Sequence, residues 1–121
     1  MSRDPRAFLW DVQDACALIT RFIQGMDFEA YRTNDLVRSA VERQLEIAGE
    51  ALSQLSKLDP ALASRIPKHR QVIALRNVLI HGYATLDHRR VWDEAEAGLP
   101  ILAAAVNELL AQAGPPDEHN P

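Results

Sequence analysis

The chain has 121 residues, 47% of them apolar and 25% charged, with a formal net charge of −4. That is the length of one domain and the composition of a soluble globular protein, which excludes a disordered chain and a fibre. No apolar run approaches the roughly 20 residues that cross a bilayer, residues 1–6 lack the apolar core of a signal peptide, and the single Cys16 can form neither an internal disulfide nor a four-ligand zinc site. The expected compartment is a reducing cytoplasm, away from membranes.

The pattern reads as helix throughout. Asp4-Pro5 supplies an N-cap acceptor followed by proline at the first helical position. From there Phe8, Leu9, Val12, Ala15, Cys16, Ile19, Phe22 and Ile23 recur at spacings of three and four, ending near Gly25. Cys16 lies on that stripe and reads as a small core residue. Asp27 caps a short turn carrying Phe28 and Tyr31. A long helix is expected from Thr33 or Asn34 to about Lys57, with Val37, Val41, Ala48, Leu52 and Leu55 on one face. Arg43, Glu46 and Glu50 fall among its apolar positions, and the two glutamates share a face, as an ion-pair network or a partner-facing surface does.

Asp59-Pro60 opens another short turn. Pro67 is expected to open the next helix, which carries Val72, Ile73, Leu75, Val78, Leu79 and Ile80 and ends at Gly82. Asp87 caps a segment with Val91, Trp92 and Ala95. Gly98 and Pro100 interrupt it before Ile101, Leu102, Val106, Leu109 and Leu110 resume, so a kinked or restarted helix is expected. The sum predicts an all-α, antiparallel four-helix bundle with additional short helices over residues 1–112, followed by a flexible tail over 113–121.

Charge is unevenly spread. Residues 65–90 hold six Lys/Arg against one acid, a balance of +5; the rest holds seven against sixteen, a balance of −9. Within the basic stretch, Arg76-Asn77-Val78-Leu79-Ile80-His81-Gly82-Tyr83 places a permanent cation, an amide, an imidazole and a phenol within eight residues. On a straight helix Asn77 and His81 are about 40° apart and Arg76 about 140° from His81. Unwinding at Gly82, or a site shared across a dimer, would bring Arg76 and His81 together. These residue types suit metal-free phosphodiester cleavage. RNA carries its own 2′-hydroxyl nucleophile, an imidazole exchanges the proton, and a guanidinium holds the phosphate and its developing charge. The competing arrangement pairs Arg76 with Glu46 or Glu50 and leaves His81 to cap a helix end. Histidine or cysteine pairs with metal-ligand spacing, a glycine-rich phosphate loop and a nucleophile elbow are all missing from the sequence.

The chain resembles the HepT-like proteins (DUF86) of the HEPN superfamily. The resemblance rests on residues 3–11, on 38–47 with Gly49-Glu50-Ala51, on Arg76-Asn77-x3-His81-Gly82-Tyr83 as an R-x4-H-x-Y motif, and on Val91-Trp92. It implies a HEPN-like bundle that pairs as a homodimer, with two motif copies meeting at a cleft. It also implies a ribonuclease toxin that needs no metal or cofactor. Arg76 and His81 are then catalytic, with Asn77 in support. A minimal nucleotidyltransferase antitoxin would neutralise the toxin by AMPylation of Tyr83, adding bulk and negative charge where RNA phosphate sits. Lys68, Arg70, Arg89 and Arg90 of the basic stretch are RNA-binding candidates. The alternative is a non-catalytic helical subunit that positions substrate for the nucleotidyltransferase.

Overall fold

The computed structural model describes residues 3–82 and 86–113. In chain order they form α1 (Pro5–Ile23), α2 (Phe28–Arg32), α3 (Asp35–Leu58), α4 (Pro60–Ala63), α5 (His69–His81), α6 (His88–Asp93), a π-helical turn (Glu94–Gly98) and α7 (Leu99–Ala113). The fold is all-α, as the 3.6-residue periodicity requires. Among the described residues no helix is long and apolar enough to cross a membrane.

Side-chain caps set most helix starts. Asp4 accepts from the Arg6 amide (2.9 Å), Asp27 from Ala30 (2.8 Å), Asn34 from Val37 (3.0 Å), Asp59 from Leu62 (3.1 Å) and Asp87 from Arg89 (2.9 Å). Each satisfies an amide that has no partner inside its own helix. Proline stands at the start of α1 and of α4, where its missing N–H costs nothing.

The core runs between α1, α3 and the rod made by α6, the π turn and α7. α3 is central: it packs most extensively on α1 along one side and on α5 along the other, and α7 closes against α1. Leu9, Val12, Ile19, Val41, Leu45, Leu52, Leu55, Leu102 and Val106 are shielded from solvent almost completely. Tyr31 of α2 stacks at a tilt on Trp92 of α6, ring centroids 5.3 Å apart, which ties both short helices to the core. α5 is different. It buries only Val72 and Leu75, because it rests chiefly on α3 and stands at the edge of the bundle. Ile73 and Leu79 pack against the core in part, and Ile80 and His81 are exposed.

One expected boundary is corrected. α5 opens at His69, and not at Pro67. Lys68 before it has φ 72°, a left-handed turn with no side-chain cap, and residues up to His69 are instead held by successive 3-10-like bonds such as Ile66 N–H to Ala63 C=O (3.0 Å). Around Gly98 and Pro100, where a kinked or restarted helix is expected, α6 gives way to α7. The chain passes through the π turn, whose wider spacing is seen where the Leu99 N–H bonds to the Glu94 carbonyl. The wider turn accommodates Pro100, which has no N–H to donate and whose ring would crowd the carbonyl four residues back. Gly98 makes room for a carboxylate: a Cβ there would lie 2.7 Å from Glu94 Cδ. Of the tail expected over 113–121, Ala113 instead ends α7, and the rest lies outside the described residues.

Candidate active site

α5 carries Arg76, Asn77 and His81 at the bundle edge. Its thirteen residues end at His81, and Gly82 closes the helix with φ 63°, a left-handed conformation that glycine adopts without a Cβ penalty. His81 is thus the last helical residue and is exposed. Ile80 beside it is 45% exposed, one of the few large apolar side chains left open to solvent.

Arg76 lies one turn earlier and is not free to wander. Its Nη1 donates to Asn77 Oδ1 at 2.8 Å, and its Nη2 donates to Glu50 Oε2 on α3. The other oxygen of Glu50 accepts from Gln54 Nε2 at 3.1 Å, so the carboxylate is held from its own helix as well. Of the two glutamates that share a face of α3, only Glu50 reaches Arg76. Glu46 pairs with Arg43 of the same helix at 3.4 Å. The competing arrangement read from the sequence therefore exists in part, with Glu50 as the partner. It does not remove the guanidinium from use. Five N–H donors leave three after Glu50 and Asn77 are served, and the side chain keeps 23% of its surface in solvent.

Gly49 explains how Arg76 comes so close to α3. It is buried in the middle of the long helix, where glycine costs about 1 kcal/mol relative to alanine. A Cβ at this position would lie 2.8 Å from Arg76 Cγ, closer still to Arg76 Cβ, and 3.2 Å from the Val72 carbonyl. The stem of Arg76 occupies the space a side chain would fill. An isolated glycine inside a helical pattern is the sequence signal for such an approach.

The other expected site residues are spread along the same stretch. Arg70 is exposed near the start of α5 and lines a shallow depression of about 270 Å³ with Ser56, Ser64, His69 and Ile73. His69 Nδ1 lies 2.8 Å from the Ile66 carbonyl, which orients its ring there. Arg70 and Arg76 are about 9 Å apart along the helix axis. Lys68 precedes α5, facing the electrostatic reach of Glu94. Arg89 is committed elsewhere: it pairs with Asp93 at 3.2 Å and stacks over Phe28, 4.8 Å from the ring centre. Arg90 is exposed on α6. The structure therefore joins Arg76 to Asn77 on α5 and sets His81 at the end of the same helix, with Arg89 and Arg90 on a different element. Tyr83 lies outside the described residues.

A second group on α3 has no signature in the sequence. Burial holds the Glu42 carboxyl above the usual carboxylate range, with His88 of α6 and Arg38 opposing that rise. This places a half-buried acid beside the helix that follows the motif.

Comparison with known proteins bears on what the arrangement does. The family described as ribonuclease HepT-like matches residues 12–109. A protein of Methanocaldococcus jannaschii provisionally named an RNase is 29% identical over 118 residues, 98% of this chain and 97% of the relative. A second, likewise provisionally named an RNase in that organism, is 34% identical over 108 residues, 89% and 92% of the two chains. A third, named probable ribonuclease HepT, from Thermococcus cleftensis, is 31% identical over 109 residues, 90% and 98%. No solved structure matches the chain.

Proposed function

The chain belongs to the HepT-like ribonuclease family, and from that premise we propose that it cleaves RNA without a metal ion through Arg76, Asn77 and His81. The observation that carries this reading is the placement of Arg76. Its guanidinium is held between Glu50 of α3 and Asn77, with donors to spare, on the helix that His81 ends.

The chemistry follows from these groups. The ribose 2′-hydroxyl gives its proton to an imidazole and attacks the adjacent phosphorus. The bond to the 5′-oxygen breaks, that oxygen takes a proton from a second acid, and a 2′,3′-cyclic phosphate remains. Arg76 donates to the non-bridging oxygens as charge builds on them. Asn77 braces Arg76 through its Oδ1, which leaves its amide N–H groups directed to substrate. A second copy of the chain, docked over the exposed edge that carries Ile80, supplies the second imidazole, the partner subunit's His81. In the proposed biological setting the protein is a toxin. A cognate nucleotidyltransferase acts as antitoxin and places AMP on Tyr83, two residues beyond His81, where added phosphate repels RNA.

The ion pair between Arg76 and Glu50 favours a second reading. A cation already balanced by a carboxylate suits a non-catalytic subunit that presents substrate to the nucleotidyltransferase. Turnover separates the two. Purified protein free of AMP, as established by mass, is incubated with labelled RNA in excess EDTA. The nuclease reading predicts cleavage by a dimeric wild type. It predicts a loss of about a hundredfold or more in His81→Ala and Arg76→Ala, the scale of a positioned acid–base or oxyanion group. Retention of RNA with no cleavage by wild type would establish the binding subunit instead.

A further inference from the structure

We infer that Gly49 and Glu50 of α3 are positioning residues that set the guanidinium of Arg76 before any substrate arrives. The inference rests on the reading of Arg76 as the phosphate-binding group.

The two residues act on different parts of one side chain. Gly49 governs the stem. With no Cβ at 49, the Cβ and Cγ of Arg76 lie directly against the α3 backbone, and a methyl group there would stand 2.8 Å from Cγ. Arg76 Cβ is anchored to α5, so it cannot yield without moving the helix. The Val72 carbonyl, 3.2 Å from the same point, blocks the adjacent escape. Glu50 governs the head. Its Oε2 accepts from Nη2 while Gln54 holds its Oε1 from one turn away at 3.1 Å. Asn77 then takes Nη1 at 2.8 Å from the other side. The chain Gln54–Glu50–Arg76–Asn77 pins both terminal nitrogens and so sets the plane of the guanidinium.

An ion pair this exposed adds little to stability, since water screens it and Glu50 is 47% exposed. It also places a negative charge beside a site for a polyanion, which weakens substrate binding. A feature that does little for the fold and opposes affinity is explained by orientation. A long, flexible side chain is held in the geometry the transition state needs, so that ordering is complete before RNA binds. The remaining N–H donors point from a fixed plane instead of a swinging one.

The test compares Glu50→Ala, Glu50→Gln and Gly49→Ala, all checked for an unchanged helical spectrum and melting curve. Glutamine keeps an acceptor for Nη2 and removes the charge. Glu50→Ala is expected to lower kcat by about ten- to a hundredfold with little change in KM, the cost of a misplaced catalytic group. Glu50→Gln is expected to recover most of kcat and to lower KM, because a like charge near the phosphate is gone. A kcat for Glu50→Ala equal to wild type, or a Glu50→Gln variant as slow as Glu50→Ala, overturns the inference. Should Gly49→Ala fail to fold, the Glu50 pair still decides. A second readout is independent of turnover: the Arg76 Nε–Hε resonance, identified by its loss in Arg76→Lys. A rigid side chain gives a distinct, slowly exchanging signal in wild type and Glu50→Gln, and loses it in Glu50→Ala. If wild type does not cleave RNA, the nuclease reading fails alone. Persistence of the signal in Glu50→Ala then overturns the positioning claim, and its loss sustains it.

Discussion

Arg76 and Cys16 show how the surroundings of a single side chain decide what it does. Arg76 has its two terminal nitrogens engaged and keeps 23% of its side chain in solvent. Cys16 is the reverse, 3% exposed on the inner stripe of α1, where burial pushes its thiol up to about 12. A thiol with so high a pKa holds almost no thiolate near neutrality, and the thiolate is the nucleophile. Folded protein at pH 8 is therefore expected to resist an aromatic disulfide reagent that labels it within minutes in denaturant; rapid labelling of the folded chain would contradict the burial described. Both residues illustrate what is legible in a sequence. The place of Cys16 on an apolar stripe is a local fact, and so is the spacing of Arg76, Asn77 and His81. The choice between Glu46 and Glu50 as the partner of Arg76 is not local. The two stand four apart on one face of α3, and only the depth at which α5 settles against Gly49 selects the second.

At the scale of elements, two glycines inside helical stretches make room for side chains with different consequences. At Gly98 the neighbour is the far end of Glu94, a carboxylate that can swing away. At Gly49 the neighbour is the near end of Arg76, which cannot. Gly98 reads as a break in the sequence because glycine and proline two apart punctuate most helices. The π turn reconciles them, and such a turn depends on carbonyl spacing that residue patterns do not reveal. The start of α5 escaped the pattern for a related reason: a left-handed Lys68 displaces the boundary from Pro67, and lysine carries no signal for positive φ. Capped starts are legible, because the cap is a side chain acting on its own neighbours. Asn34 accepts from the Val37 amide at 3.0 Å at the head of the central helix. Replacing it with alanine is expected to lower stability by about 1 kcal/mol, a fall of roughly 4 °C in Tm for a domain of this size. Thermal unfolding by circular dichroism measures it, and an unchanged Tm would remove Asn34 from its capping role.

For the molecule as a whole, the order of packing explains why the helix that carries Arg76 and His81 sits where it does. α3 is enclosed by α1 and α5, α7 closes on α1, and α5 is left at the edge with only two residues buried. The basic stretch of an otherwise acidic chain includes that edge helix, so positive charge is displayed where the bundle is open. The all-α class and the main apolar faces follow from periodicity alone. The edge position of α5 follows from which faces outcompete it for the core, which periodicity cannot rank. In the proposed function, groups on this edge promote attack by RNA's own 2′-hydroxyl. The most direct test is the chemistry of the ends left by wild-type protein in EDTA, on an RNA and on the same strand with 2′-deoxyribose at the cleaved position. The expected result is 2′,3′-cyclic phosphate and 5′-hydroxyl ends on the RNA and no cleavage at the deoxy position; 5′-phosphate ends, or equal cutting of both strands, would overturn this mechanism.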